Sequence, residues 1–256
     1  MSETLFKKYN VPVPRYTSYP TANSFGPFDE TDYLKAVESS NDATADNISF
    51  YIHVPFCRHL CHYCGCNSVA MAKPDRITEY FETLHKEIEL LLPHLRKDRR
   101  ISQIHYGGGS PSSMPLHFIR SINEHLLSAF ETIDRPEIAI ECHPGYLKEE
   151  DWHYLLDSGF NRFSLGIQDF NDEVLRCVNR QPALLPVETI MRILREGGAK
   201  VNFDFIYGLP KQSISAFVST IKKAISLRPD RLVTFSYAHL PSLFKRKMIL
   251  EKAGLP

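Results

Sequence analysis

Six runs rich in β-branched and aromatic residues alternate along this chain with longer stretches of helical spacing, and few folds accept that order. The runs are ISFYIHV (48–54), ISQIHY (101–106), EIAIEC (137–142), RFSLGI (162–167), KVNFDFI (200–206) and RLVTFSY (231–237). Their composition suits pleated, half-buried backbone. Helical spacing covers 75–93, 115–130, 147–158, 171–196 and 213–227. Ile77, Phe81, Leu84, Ile88 and Leu91 share one face of the first stretch, and Ile214, Phe217, Ile221 and Ile225 one face of the last. Both stripes read as core packing against a sheet. Strand–helix alternation of this kind implies an α/β fold with a parallel sheet and right-handed crossovers. An open doubly wound sheet and a barrel both satisfy it, and in both the chemistry collects at the carboxyl ends of the strands. Here each strand runs directly into an unusual loop: HVPFC, GGGSP, ECHP, QDF, YGLP and AHLP. Six such loops on one face imply one shared site.

Residues 1–47 read as an N-terminal arm, with Pro12, Pro14, Pro20, Pro27 and one short helical pattern, DETDYLKAVESS. The polar NDATADN (41–47) marks the boundary of a core over 48–240. With 30 basic and 30 acidic residues the formal net charge is zero, so no basic field points to nucleic acid or an anionic membrane. The N-terminal stretch has no apolar segment of signal-peptide type, and the longest apolar runs, such as IELLLPHL, are too short to span a bilayer. The chain reads as cytoplasmic. In that reducing compartment clustered cysteines point to a metal or redox site rather than a disulfide.

Such a cluster exists. HVPFCRHLCHYCGCN (53–67) holds Cys57, Cys61, Cys64 and Cys66, four of the six cysteines, spaced C-x3-C-x2-C-x-C. A structural zinc site favours two separated pairs and fits this spacing poorly. A closed four-cysteine iron–sulfur cluster is a second reading. A [4Fe-4S] cluster on three thiolates, leaving one iron open to a cofactor, is a third. The spacing differs from the ferredoxin run. Cys142 and Cys177 stand alone and read as small buried hydrophobes.

The other strand ends carry weaker signals. The glycines of YGGGSP (106–111) make a turn or let backbone approach a ligand, and no Gly-Lys-Ser/Thr follows to make a nucleotide loop. Glu141 would be costly if buried unpaired, and its bland reading is a salt bridge with an Arg. Asp204, among apolar residues, needs a donor partner. Gln168 closes the fourth strand. Arg180 reads blandly as a solvated helix end. His53 reads as a support for the cysteine loop, and Tyr51 as core.

C-x3-C-x2-C just after the first strand, with aromatic Tyr63 before the third cysteine, resembles the radical S-adenosylmethionine (SAM) superfamily. PRYTSYPTA (14–22), CGCN (64–67), GIQDFN (166–171) and SYAHLPS (236–242) further resemble the oxygen-independent coproporphyrinogen III oxidase family, over Lys8 to Pro256. The resemblance implies a partial (β/α)6 TIM-like barrel. It implies that Cys57, Cys61 and Cys64 hold three irons of a [4Fe-4S] cluster and that SAM chelates the fourth. Cys66 would lie near the cluster without being a ligand, a fourth-ligand role in the absence of SAM standing second. Tyr51, Tyr63, Gly108, Gly109, Ser110, Glu141, Gln168, Arg180, Asp204 and Ala238 would contact SAM. By resemblance the substrate is coproporphyrinogen III, two of whose propionates become vinyl groups with loss of CO2. A one-electron donor and an electron acceptor would be needed, and the protein would act as a monomer. Arg15, Tyr16 and Tyr19 are candidate contacts for the substrate carboxylates. A haem-binding or haem-delivery relative is the alternative, but such relatives typically lack the CGCN cysteine and the arm motif. Two departures concern single residues: Ser110 stands where the family more often has Thr, and His143 where an acidic residue is common. A third is length. The sequence stops just after the sixth strand, where the family continues with another SAM-facing segment and a C-terminal helical domain, so 241–256 would begin a connector.

Overall fold

The computed structural model describes residues 3–9, 21, 24–42 and 46–255. Arg15, Tyr16 and Tyr19 lie outside the described residues. The chain divides into two units after Ala43. The first contains helices α1 (Glu3–Tyr9) and α2 (Glu30–Ser39). Asp29 caps α2, its carboxylate accepting from the Asp32 amide at 2.9 Å.

The second unit opens with β1 (Asn47–Val54), then the short β2 (Phe56–Cys57) and β3 (Val69–Ala70). The alternation that follows is α3 (Pro74–Leu91), β4 (Arg100–Gly108), α4 (Leu116–Ala129), β5 (Thr132–Cys142), α5 (Glu149–Asp157) and β6 (Arg162–Gln168). It continues through α6 (Asp172–Cys177), α7 (Val187–Glu196), β7 (Lys200–Tyr207), α8 (Ile214–Ser226), β8 (Arg231–Ser236) and α9 (Met248–Lys252). Six strands form one sheet in the order β1-β4-β5-β6-β7-β8, every neighbouring pair parallel. This is the expected α/β architecture, a partial (β/α)6 barrel. β2 and β3 form a separate parallel pair.

The core lies where the inner strands meet the helices. Ile104, Tyr106, Ile140, Phe163, Leu165, Phe203 and Phe205 are fully buried, each apolar side chain contributing about 1.5–3 kcal/mol relative to exposure. The α3 stripe behaves as expected: Ile77, Phe81 and Ile88 are buried. The α8 stripe does not. Ile214 is 88% and Ile225 58% exposed, Phe217 and Ile221 are partly buried, and Ala224 makes the close contact.

The single helical stretch read over 171–196 is two helices. α6 stops at Cys177, Asn179 takes φ 58°, and Pro186, extended at ψ 132°, sets the start of α7. That break brings Arg180 inward. Among the described residues no helix is long and apolar enough to cross a membrane.

Candidate active site

Pro55 ends β1, and β2 then launches the cysteine loop back across the top of the sheet. The stem is closed by backbone: Val69 donates to Pro55 O at 2.9 Å and Met71 to Cys57 O at 2.8 Å. His53, on β1, reaches the Asn67 carbonyl with Nε2 at 2.9 Å, so its expected role as loop support is realised. The far side is held by the end of α6, where the His62 amide donates to Val178 O at 3.0 Å and Asn179 Nδ2 to Leu60 O at 3.1 Å. Arg246 donates to Cys64 O at 2.8 Å.

All four loop cysteines are free thiols lining one cavity of about 170 Å³. Cys61 is buried, Cys57 and Cys64 half-buried, and Cys66 exposed. A hydrogen bond from the Cys66 thiol draws Cys64 down to about 6, and the same bond pushes Cys66 up. Burial and the neighbouring Cys64 raise Cys57 to about 11. Among the described residues no three His, Cys, Asp or Glu side chains are drawn together as for a single ion. The thiols suit a larger group spread between them.

The glycine loop forms the next wall. Gly109 donates to Val54 O at 2.7 Å and Ser110 to Phe56 O at 3.0 Å, zipping the end of β4 onto the cysteine stem. A Cβ on Gly109 would stand 2.5 Å from Pro55 O, and one on Gly108, with φ +111°, 2.7 Å from the His53 ring. The glycines therefore serve the stem as well as the cavity. Ser110 Oγ pairs with Ser113 Oγ at 2.7 Å.

From β5 to β7 come the polar groups. The partner of Glu141 is not an Arg but His105, at 3.4 Å. Asp204 accepts from Asn202 Nδ2 at 2.9 Å and Ser164 Oγ at 3.0 Å, the donors its sequence context required. Burial still holds its carboxyl above the usual range. Gln168 sits at a register shift with φ 67°, its Oε1 buried without a partner. Arg180 departs most from its bland reading. It is buried, with Nη1 at 3.6 Å from Cys61 Sγ and 3.3 Å from Tyr63 OH, while Nη2 donates to Gly166 O. Burial works against its charge, and Tyr63 and Cys61 more than restore it.

The cavity thus gathers Cys57, Cys61, Tyr63, Cys64 and Cys66 with Gly108, Gly109, Ser110, Glu141, Gln168, Arg180 and Asp204. Tyr51 and Ala238 are not among its lining residues. Tyr51 is 59% exposed rather than core, its hydroxyl 3.2 Å from His53 Nδ1. The Ala238 carbonyl accepts from Lys247 Nζ at 2.7 Å. Sequence reasoning missed His59, Tyr146, Ser164 and Gly166 as lining residues, and left His143 unexplained. The Asp of GIQDFN is structural. Buried Asp169 accepts from Gln212 Nε2 at 2.6 Å, Thr220 Oγ1 at 2.8 Å and the Asn171 amide at 2.9 Å.

Four thiols in three degrees of burial, a buried guanidinium beside one of them, and the unpartnered Gln168 Oε1 and His143 Nε2 fit a polar cofactor seated on an iron–sulfur cluster. Ligand cysteines must be thiolates, which the Arg180 charge and the Cys66 hydrogen bond favour.

Comparison with known proteins agrees. The family model described as the Radical SAM superfamily matches residues 51–224. The oxygen-independent coproporphyrinogen III oxidase of Salmonella typhimurium is 39% identical over 254 residues, covering 98% of this chain and 55% of that protein. The Synechocystis sp. protein of the same name is 35% identical over 257 residues, covering 100% and 55%. Coproporphyrinogen III oxidase from Escherichia coli, a radical SAM enzyme of solved structure, superposes with a TM-score of 0.87 at 37% identity, over 99% of this chain and 57% of that one. The chain spans about 55% of the length of these curated relatives.

Proposed function

The chain belongs to the radical SAM superfamily, and we propose that it carries the cluster- and SAM-binding part of an oxygen-independent coproporphyrinogen III oxidase. The observation that carries this reading is the convergence of Cys57, Cys61 and Cys64 on one cavity with the glycine loop, Glu141, Arg180 and Asp204. The named oxidases it resembles favour this reading over haem delivery.

When bound, the cluster and SAM would supply one-electron radical chemistry. The chain's own residues do the positioning. Cys57, Cys61 and Cys64 hold the cluster, and Arg180 balances thiolate charge beside Cys61. The backbone at Gly108 and Gly109, with Ser110, would receive SAM. Glu141 and Asp204 face it as acceptors, Asp204 oriented by Asn202 and Ser164. Gln168, Tyr63 and Arg180 complete the proposed SAM contacts within the cavity. The substrate is coproporphyrinogen III, and the product carries vinyl groups in place of two propionates. A separate electron donor and acceptor serve the reaction, in the cytoplasm.

The test is EPR of the anaerobically reconstituted, dithionite-reduced protein with and without SAM, followed by incubation with coproporphyrinogen III. A [4Fe-4S] signal that changes on adding SAM, with CO2 released from the porphyrinogen, is the expected result. A signal indifferent to SAM overturns the open-iron reading. A SAM response without CO2 release overturns the substrate.

A further inference from the structure

Each of the three residues between Cys57 and Cys61 is gripped from outside the loop. The Leu60 carbonyl accepts from Asn179 Nδ2 at 3.1 Å. Arg58 and His59 are both held by one side chain, Tyr146. Its hydroxyl lies 2.7 Å from His59 Nδ1, and the two rings stack at 5.9 Å and 27°. The Arg58 guanidinium carbon sits 5.1 Å from the centre of the same ring.

Tyr146 is itself held fast. Its ring stacks on buried His143 at 4.1 Å and 23°. Its amide donates to His143 O at 3.2 Å, the Gly145 amide donates to His143 Nδ1 at 3.1 Å, and the His143 amide donates to Ser112 Oγ at 3.0 Å. The turn leaves no room for a side chain at Gly145, where a Cβ would stand 2.6 Å from Pro182 O. The anchor therefore projects from the end of β5, the strand that carries Glu141, and reaches the cysteine loop across 87 residues of sequence.

We propose that Tyr146 is a positioning residue for the cysteine loop: it fixes Arg58 and His59, and through them the separation of Cys57 from Cys61 in which the cluster is received and kept. The physical reason is entropic. A three-residue interval has more freedom than a two-residue one, and each residue left free must be ordered when the cluster binds. Tyr146 and Asn179 order all three beforehand. The inference rests on the three cysteines holding a cluster.

The experiment is anaerobic reconstitution of the wild type, Tyr146→Phe, Tyr146→Leu, His59→Leu and the Tyr146→Phe/His59→Leu double variant. Iron and sulfide per chain and the rate at which the visible band bleaches in air are measured, with the melting midpoint of each cluster-free protein. Tyr146→Phe and His59→Leu should each bleach about two- to tenfold faster, the range expected for one lost hydrogen bond. The double variant should be no worse than the more affected single one, because both remove the same contact. Tyr146→Leu, which also loses both stacks, should take up less iron. Cluster-free midpoints should stay within about 4 °C of the wild type. Wild-type iron content and bleaching in Tyr146→Phe and Tyr146→Leu overturn the inference, as does bleaching that merely tracks a fall in the cluster-free midpoint. If the wild type takes up no iron and sulfide, the cysteine reading itself falls, and this inference with it.

Discussion

At the scale of single residues, the four loop thiols are chemically unequal, and that inequality predicts which of them are ligands. Replacing Cys57, Cys61 or Cys64 with Ala removes a thiolate from the cavity wall, and each variant should lose the [4Fe-4S] absorption and EPR signal on reconstitution. Cys66 is exposed and spends its proton on Cys64, so Cys66→Ala should still assemble a cluster. Equal loss in all four variants would show a closed four-thiolate site. His143 gives a second prediction. Burial, with Arg180 nearby, pulls its imidazole down to about 2, while the unfolded chain protonates it near pH 6.5. Below that pH the unfolded state binds one proton more than the folded state. Stability should therefore fall by up to about 1.4 kcal/mol per pH unit as the pH drops from about 6.5. Denaturant titrations of His143→Gln across pH 4–7 should show that slope reduced by one proton; an unchanged slope would mean His143 is protonated in the fold. The three cysteines and the need of Asp204 for donors were legible because motif spacing and local polarity carry them. Arg180 was placed at the site by resemblance alone, its own sequence context suggesting a solvated helix end, and Tyr146 was overlooked. Both act through contacts far along the chain, with 119 residues separating Arg180 from Cys61, and no local pattern encodes such a meeting.

At the scale of elements, hydrophobic period and breaker residues placed every strand of the main sheet within a few residues. The errors came where period alone was trusted. Prolines and a left-handed Asn179 split one helical stretch into α6 and α7. α8 lies near the edge of the sheet, and part of its apolar stripe is exposed. The glycine loop shows how two elements are fastened together. Its amides bond the stem of the cysteine loop, and Gly109 has backbone rather than a flexible side chain at 2.5 Å from its missing Cβ. Gly109→Ala must therefore push β4 from β1. The expected cost is about 1–3 kcal/mol, read as a lower denaturation midpoint, together with poorer cluster retention because the stem moves. Gly159→Ala, whose Cβ would meet only Ile138 Cδ1 at 3.8 Å but whose φ is +89°, should lose stability by strain alone and keep its cluster. If both variants retain the cluster equally, the zipper between glycine loop and stem is not what holds the site.

For the sheet-bearing unit as a whole, the strand order leaves β1 and β8 as the two edges. The central strands were readable as near-continuous apolar runs because both their faces are covered. Among the described residues an edge strand pairs on one side only, so it carries no such signature. β8 and the segment after it display Phe235, Leu243, Met248 and Ile249 at 52%, 71%, 49% and 47% exposure. Unpaired strand groups beside apolar side chains form a template for pairing with another chain. Four such side chains from each of two copies, at about 1.5–3 kcal/mol apiece if fully buried, set an upper limit of about 12–24 kcal/mol. Association costs about 4–15 kcal/mol of lost freedom, and partial burial lowers the gain, so a dimer through this edge should be weak, in the micromolar to millimolar range. Sedimentation velocity over a hundredfold concentration range should show the apparent mass rising. Phe235→Lys and Leu243→Lys should each suppress the rise, because a buried lysine without a partner at the new interface costs more than the lost contact alone. A mass that stays monomeric throughout would show that β8 protects its own edge; a rise insensitive to both lysines would place the contact on another face, with the exposed Ile214 end of α8 the next to change.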